Sequence, residues 1–485
     1  MKELTLLHSN DLHGDFLAEQ VDAKLVGGAA MLSGYVKQVR ATQDNVLYCI
    51  AGDMFKGSVI DSEFLGLSTI EIMNVLAPDV VAVGNHEIDY GIAHLLFLEK
   101  CARFPIVNAN LYIKGSRARL FTPYKILTVG GLRVVFIGII TQQVIAQTRT
   151  EGLVGSFVDV GEAAHAVQVI LDNYKTTGVD LTVLLTHIGF DSDRQLAAML
   201  DRRWGVDLII GGHSHTLMTE PCVENGIPIV QAGVGTDQIG RFDIVIDQQN
   251  HRMASYRWQC LPIDAAHCPV DAAMEAVIKG YKDQTDAKYG HVMTTFARTL
   301  THPVRNRETE LGDLFADLLQ RGSSFDVMLY GSGSIRVTQM GPLVTYADFK
   351  TSSPYDGPLY MLTVDGAQLR AMLAHMLREE ALTGDHTEFY QVSATLRMHW
   401  SRRLQAFTSL TVGGRPLTDD RKVTVALQDY HYKNFTDFFG LDVAAVLANG
   451  KARVVASSVE AILEEMLPTV NGIDMTSGDR IVIEP

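Results

Sequence analysis

The sequence is poor in cysteine. Its five thiols, Cys49, Cys101, Cys222, Cys260 and Cys268, are scattered, odd in number and never spaced as Cys-x-x-Cys. That excludes a zinc ribbon and a dithiol redox site, and it fits buried, reduced thiols. Positive charge is also short: 41 Lys and Arg stand against 56 Asp and Glu, a formal net charge of −15. A binder of duplex nucleic acid needs a basic face, so that class is excluded. The same field repels any phosphate ester, so a phosphate-handling site here needs local cations, either metal ions or a few arginines. No apolar run is long enough to span a bilayer, so no membrane partner is expected. No internal repeat or low-complexity tract interrupts the chain. Met1-Lys2-Glu3 runs into an alternating strand without the basic, apolar and small-residue succession of a leader. The expected location is therefore the cytoplasm, or the periplasm or cell exterior if this is a trimmed mature form.

What is present is an ordinary globular composition, 47% apolar and 20% charged over 485 residues, enough for two or three domains. The first half alternates apolar runs with amphipathic stretches. Strands are expected at Leu4–His8, Val46–Ala51, Val80–Val83, Val134–Ile139, Leu181–Leu185, Val206–Ile210 and Ile227–Gln231. Helical patterns lie between them at Leu32–Val39 and Ala163–Tyr174. Strands alternating with helices imply an α/β domain. Near residue 262 the pattern changes, and Val270–Tyr281 reads as a polar connecting helix. A second domain follows, with helices expected at Leu311–Leu319 and Ala367–Arg378 and strands at Val327–Tyr330, Leu359–Val364 and Val423–Leu427. The expected division is 1–265, a connector over 266–294, and 295–485.

The polar residues fall at telling places. Asp11 and His13 follow the first strand, Asp53 the second, Asn85 and His86 the third. His187 follows Leu181–Leu185, and His213 and His215 follow Val206–Ile210. Open α/β sheets place their ligands just past the C-terminal ends of strands, so these residues should converge on one rim. Carboxylate, amide and imidazole donors together suit divalent zinc or manganese. Asp11 and His13 are two apart, so an extended strand end would aim both to one side. Asp53, next to Gly52, is placed to bridge two ions with its two carboxylate oxygens. Each residue alone reads as a turn former or a satisfied polar group. Their joint occurrence in order carries the metal reading.

The segments Ser9-Asn10-Asp11-Leu12-His13-Gly14, Gly52-Asp53, Gly84-Asn85-His86-Glu87-x-Asp89, Thr186-His187 and Gly211-Gly212-His213-Ser214-His215 resemble the calcineurin-like metallophosphoesterases. More narrowly, they are similar to the branch of 5′-nucleotidases and UDP-sugar hydrolases. The resemblance implies an α/β chain: a four-layer αββα sandwich, then a smaller α/β C-terminal substrate-binding domain. It implies one ion held by Asp11, His13, Asp53 and His215, and a second held by Asp53, Asn85, His187 and His213. Several members of the branch carry Gln where His215 stands. The resemblance also implies a catalytic dyad, His86 with Asp89, beside two ions that activate water for in-line attack on phosphorus.

In the second half, Arg305-Asn306-Arg307-Glu308-Thr309, Gly331-Ser332-Gly333-Ser334-Ile335-Arg336, Tyr355 and Tyr430 stand out. Taken alone, such arginines read as surface residues and such tyrosines as core. The resemblance makes Arg305 and Arg336, with Arg307 nearby, contacts on the phosphate side, and Tyr355 and Tyr430 the pair that sandwiches a base. Two departures mark this half. Gly331 replaces an asparagine of the branch, and His431–Asp437 replaces an Asn-Gly-Gly-Asp run, leaving Asp437 as the candidate ribose contact. His8 reads as core or as support behind the ligands, and Asn108 and Asn110 as turn residues. The expected function is a dimetal phosphohydrolase, foremost a 5′-nucleotidase acting on nucleoside 5′-monophosphates. The same metal core would serve 2′,3′-cyclic nucleotides, nucleotide-sugars or dinucleotides. A non-catalytic nucleotide-binding module is the alternative from another class, and the full ligand set with His86 and Asp89 speaks against it.

Overall fold

The computed structural model describes residues 1–21, 24–113, 118–141, 154–156, 160–174, 178–383 and 389–485. The chain divides into two compact units, Met1–Thr285 and Asp286–Pro485. The break falls within the helix Ala272–Tyr289, which runs further than the polar stretch that signals it in the sequence.

The first unit is built on two six-stranded sheets. Its strands are β1 (Lys2–Ser9), β2 (Val46–Ile50), β3 (Val80–Ala82), β4 (Ile106–Val107), β5 (Tyr124–Val129), β6 (Leu132–Ile140), β7 (Leu181–His187), β8 (Leu208–Ile210), β9 (Cys222–Glu224), β10 (Ile227–Val230), β11 (Gln238–Asp247) and β12 (Arg252–Pro262). One sheet has the order β12-β11-β1-β2-β3-β4, the other β9-β10-β8-β7-β6-β5. Strands β1 to β4 run parallel, as do β6, β7, β8 and β10.

Side-chain alternation turns these sheets into four layers. From β1, Leu4 and Leu6 enter the core between the sheets, where they join Phe136, Val183 and Ile210. Leu7 points the other way and joins Leu32 and Val36 of helix α1 (Ala29–Thr42). From β7, Leu184 packs outward with Val167 and Ile170 of α2 (Val160–Tyr174) and Leu196 of α3 (Phe190–Met199). Burial on both faces explains why these strands read as continuous apolar runs. Each fully buried Leu, Val or Phe contributes about 1.5–3 kcal/mol, so the layering rests on many modest terms.

The second unit holds a five-stranded sheet. In chain order its strands are β13 (Val327–Gly331), β14 (Leu359–Val364), β15 (Tyr390–Val392), β16 (Val423–Gln428) and β17 (Arg453–Ala456), arranged β15-β13-β16-β14-β17. Strands β13 and β16 are parallel neighbours, with Leu329 opposite Leu427. Their C-terminal ends therefore deliver the turn after Gly331 and the short helix Asp429–Lys433 to the same sheet edge. No helix among the described residues is long and apolar enough to cross a membrane.

Candidate metal centre

Strand β1 ends at Ser9, and the chain turns at once into a strained path. Asp11, His13, Asp53, His213 and His215 have φ of 53°, 48°, 53°, 78° and 52°. Left-handed backbone costs a non-glycine residue on the order of 1 kcal/mol or more, and such strain collects at functional sites. Asp11 and His13 thus do not converge by the two-residue period of an extended strand. Left-handed turns beyond the strand end aim them together. Gly84 and Gly212 complete the cradle, because a Cβ at either would lie 2.3 Å from Asp53 Oδ1 or 3.0 Å from Asp11 Oδ2.

The seven expected donors meet. Asp11 Oδ1 lies 3.4 Å from His215 Nε2, 3.8 Å from His187 Nε2 and 3.9 Å from His13 Nε2. Asp53 Oδ2 lies 3.0 Å from His187 Nε2 and 3.8 Å from His13 Nε2. Asn85 Oδ1 lies 3.1 Å from His187 Nε2 and 2.7 Å from His213 Nδ1. Asp53 faces both groups of histidines through Oδ2, while Oδ1 accepts the His86 backbone N–H at 2.8 Å. Ligand atoms of Asp11, His13 and His215, and of Asp53, His187 and His213, lie within 4.8 Å of one another. Carboxylate, amide and imidazole atoms gathered this tightly fit two divalent cations.

Hydrogen bonds orient the rings. His187 Nδ1 faces the Ala51 carbonyl at 2.8 Å and His13 Nδ1 the Lys56 carbonyl at 3.0 Å, so both turn Nε2 inward. Burial opposes charge on both Asp53 and His187, and their mutual attraction outweighs it. Asp53 falls to about 2 and His187 rises to about 9. His86 Nδ1 lies 2.6 Å from Asp89 Oδ2, and this hydrogen bond raises the His86 pKa against the effect of burial. Nε2 of His86 is left to give or take a proton. Lys56 Nζ, 3.6 Å from the same Asp89 oxygen, is a second cation there.

Sequence reasoning gave no role to two residues that hold this site. Asn10 donates to Asp11 Oδ2 and to the Gly233 carbonyl, both at 2.7 Å, and accepts the Ala232 N–H at 2.8 Å. Glu87 is fully buried and accepts from the backbone N–H of Asp53 at 2.9 Å, Met54 at 2.6 Å and Gly84 at 2.5 Å. Burial, with Asp53 adding to it, pushes its carboxyl up to about 7. Both residues lie inside the motifs quoted above, and a polar residue flanking a ligand was the available signal. His8 belongs to the core: it is buried, stacks on Trp258 and accepts from Trp258 Nε1 at 3.0 Å. Asn108 accepts the backbone N–H groups of Asn110 and Leu111, as a turn residue does. Asn110 instead pairs across to β6, exchanging two hydrogen bonds with the Ile140 backbone.

In the second unit, Tyr355 and Tyr430 line a cavity of about 480 Å³ together with Gly333, Ser334, Gln428 and His431. Both tyrosines are more than half exposed, so neither is a core residue. The Arg336 guanidinium lies 5.8 Å from the Tyr355 ring centre. Arg305, Arg307 and Asp437 are exposed and lie outside the residues that line the cavity.

Residues 4–217 match the calcineurin-like phosphoesterase family, and residues 288–441 match the 5′-nucleotidase C-terminal domain. The 5′-nucleotidase of Mus musculus is 28% identical, over 88% of this chain and 82% of that protein. The 5′-nucleotidase precursor of Thermus thermophilus superposes with a TM-score of 0.58 at 24% identity, covering 100% of this chain and 99% of that one. The NAD nucleotidase of Haemophilus influenzae gives the same TM-score of 0.58 at 17% identity, with 100% and 99% covered. At such identities the two structures speak for the fold alone. The αββα layering, the donor cluster and both family matches agree: this chain belongs to the calcineurin-like phosphoesterases that carry a 5′-nucleotidase C-terminal domain, and it is a metal-dependent phosphoester hydrolase.

Proposed function

We propose that the protein is a 5′-nucleotidase that releases phosphate from nucleoside 5′-monophosphates. The observation that carries this reading is a pairing within one chain. One unit gathers seven metal-ligating side chains, and the other holds a cavity edged by two exposed tyrosines. The first unit supplies the phosphoryl chemistry and the second reads the base.

Asp11, His13, Asp53 and His215 would hold one ion, and Asp53, Asn85, His187 and His213 the other, zinc or manganese. When bound, such a pair supplies a clamp for phosphoryl oxygens and a water nucleophile at neutral pH. Asn10 and the Ala51 and Lys56 carbonyls keep the ligands aimed. His86, charged by Asp89, stabilises the developing negative charge or protonates the departing oxygen. Arg336 and Arg305 meet the phosphate side, and Tyr355 and Tyr430 stack on the base.

The test is phosphate release by the purified protein with added manganese or zinc. Nucleoside 5′-monophosphates are compared with a 2′,3′-cyclic nucleotide, a UDP-sugar and NAD. The highest kcat/KM is expected for a monophosphate; a higher value for one of the other three overturns the reading.

A further inference from the structure

Gln428 ends strand β16 as a polar residue in an apolar run, and only 7% of it is exposed. Its Oε1 accepts the backbone N–H of Gly331 at 3.1 Å and the Ser334 hydroxyl at 3.2 Å. A backbone N–H can only donate, so the orientation of the amide is settled: oxygen toward Gly331, nitrogen away. Among the described residues the Gln428 Nε2 has no partner, and the residue lines the cavity flanked by Tyr355 and Tyr430. The donor stands at the cavity, where a ligand acceptor can take the place of water.

His431 lines the same cavity and is also buried, at 4% exposed. A Cβ at Gly331 would sit 2.1 Å from the His431 ring, so a glycine there goes with a histidine at 431. The carboxylates nearby are partly engaged: Asp429 holds Lys433 at 2.7 Å, and Asp356 accepts from Ser458 at 2.8 Å and from the Glu460 N–H at 3.0 Å. Gln428 therefore presents donors alone, because its single acceptor is tied inside the protein.

We infer that the Gln428 amide reads the edge of the base and selects nucleotides whose base turns a carbonyl oxygen to it. Those are the oxo bases, hypoxanthine, guanine and uracil. An exocyclic amine in place of that oxygen, at position 6 of adenine or position 4 of cytosine, sets donor against donor. The inference rests on the nucleotidase reading and adds to it the substrate class.

Inosine and adenosine 5′-monophosphate differ at position 6, oxygen against amine, and form the probe pair, with ribose 5-phosphate as the base-free reference. In the unaltered protein, kcat/KM is expected to favour the inosine nucleotide by about tenfold, and purine riboside 5′-monophosphate, which lacks the oxygen, should fall with the adenosine nucleotide. Gln428→Glu keeps an oxygen for Gly331 and Ser334 but turns an acceptor to the cavity. The inosine-to-adenosine ratio should then drop by about tenfold or reverse. Both substrates are read on one preparation, so a smaller folded fraction cancels from the ratio. The purine riboside arm needs no variant at all. An unaltered protein that favours the adenosine nucleotide, or a ratio that Gln428→Glu does not move, overturns the inference alone. If neither nucleotide outruns ribose 5-phosphate, the nucleotidase reading falls as well.

Discussion

His13 and His215 present their Nε2 atoms to each other at 3.1 Å, with Asp11 Oδ1 3.4 Å from the His215 nitrogen. Two imidazole lone pairs facing one point repel unless a proton or a cation stands between them. Both residues also adopt left-handed backbone, so the arrangement is held at a cost. The proposed metal ion would account for it, as a shared proton would. His215→Ala should weaken metal binding by at least about tenfold, the scale on which loss of even a supporting contact is felt. His215→Gln retains an oxygen donor and should hold metal with an altered preference. Metal content after dialysis, read by elemental analysis, checks both variants.

The His86 ring lies edge-on to His13 with centroids 5.2 Å apart, its backbone N–H donates to Asp53, and Asp89 poises the ring. His86→Ala should lower kcat by about a hundredfold or more, in the range of positioned acid–base groups. Metal content should stay near that of the unaltered protein, because the backbone N–H survives the change. Asp89→Asn should lower kcat less. Unchanged turnover in His86→Ala would remove the dyad from the chemistry.

Glu87 gathers three backbone N–H groups from the two loops that carry Asp53 and Asn85. Glutamine at this position supplies one acceptor oxygen and turns an amine toward a donor. Glu87→Gln should therefore destabilise the fold by about 1–3 kcal/mol and loosen the metal ligands as well. A lower Tm together with a lower metal content is the expected pair of results. A lower Tm with full metal content would confine Glu87 to a structural role.

Much of the first unit was legible because its two-sided burial writes itself into the sequence. Val183, Leu184 and Leu185 are buried on alternating faces, and such runs read as strands without knowledge of what covers them. The residues that gather at the candidate metal centre were legible because they follow those runs. The left-handed turns at Asp11 and His13 were not, since the two-residue spacing reads equally well as extended chain. Gln428 was illegible for another reason: its role depends on Gly331 and Ser334, which lie 97 and 94 residues away. Local pattern carries strand and helix, but partnership across the sheet edge is set by tertiary register.

A buried acid in the second unit sets a pH dependence of stability. Asp313 has a fully buried side chain 3.4 Å from Arg480 Nε. Burial pushes its carboxyl up to about 9, with Arg480 opposing and Glu308 adding to the rise. In the unfolded chain the same group titrates at about 3.9, so between those values the folded state holds a proton that the unfolded state has lost. Stability from this group is thus complete at low pH and declines as pH rises toward 9. Asn has no proton to give up. The Tm of Asp313→Asn relative to the unaltered protein should accordingly improve between about pH 5 and about pH 9. A difference independent of pH would mean that Asp313 is ionised in the fold.

Tyr355 and Tyr430 carry the base-binding half of the functional reading, because two large aromatic rings, each more than half exposed, edge the same cavity. Stacking of a base on one aromatic side chain is worth about 1–3 kcal/mol. Removing either ring by Tyr355→Ala or Tyr430→Ala should raise KM for a nucleoside monophosphate by about tenfold or more. The proposed metal ligands and His86 all lie in the other unit, so kcat should change little. That split, KM without kcat, is the mark of binding lost equally from ground state and transition state. The Arg336 guanidinium lies 5.8 Å from the Tyr355 ring, so Tyr355→Ala also frees an arginine assigned to the phosphate side. A larger effect at Tyr355 than at Tyr430, with some loss of kcat, would show that the ring positions that arginine in addition to stacking. If neither substitution moves KM, the cavity does not bind the base.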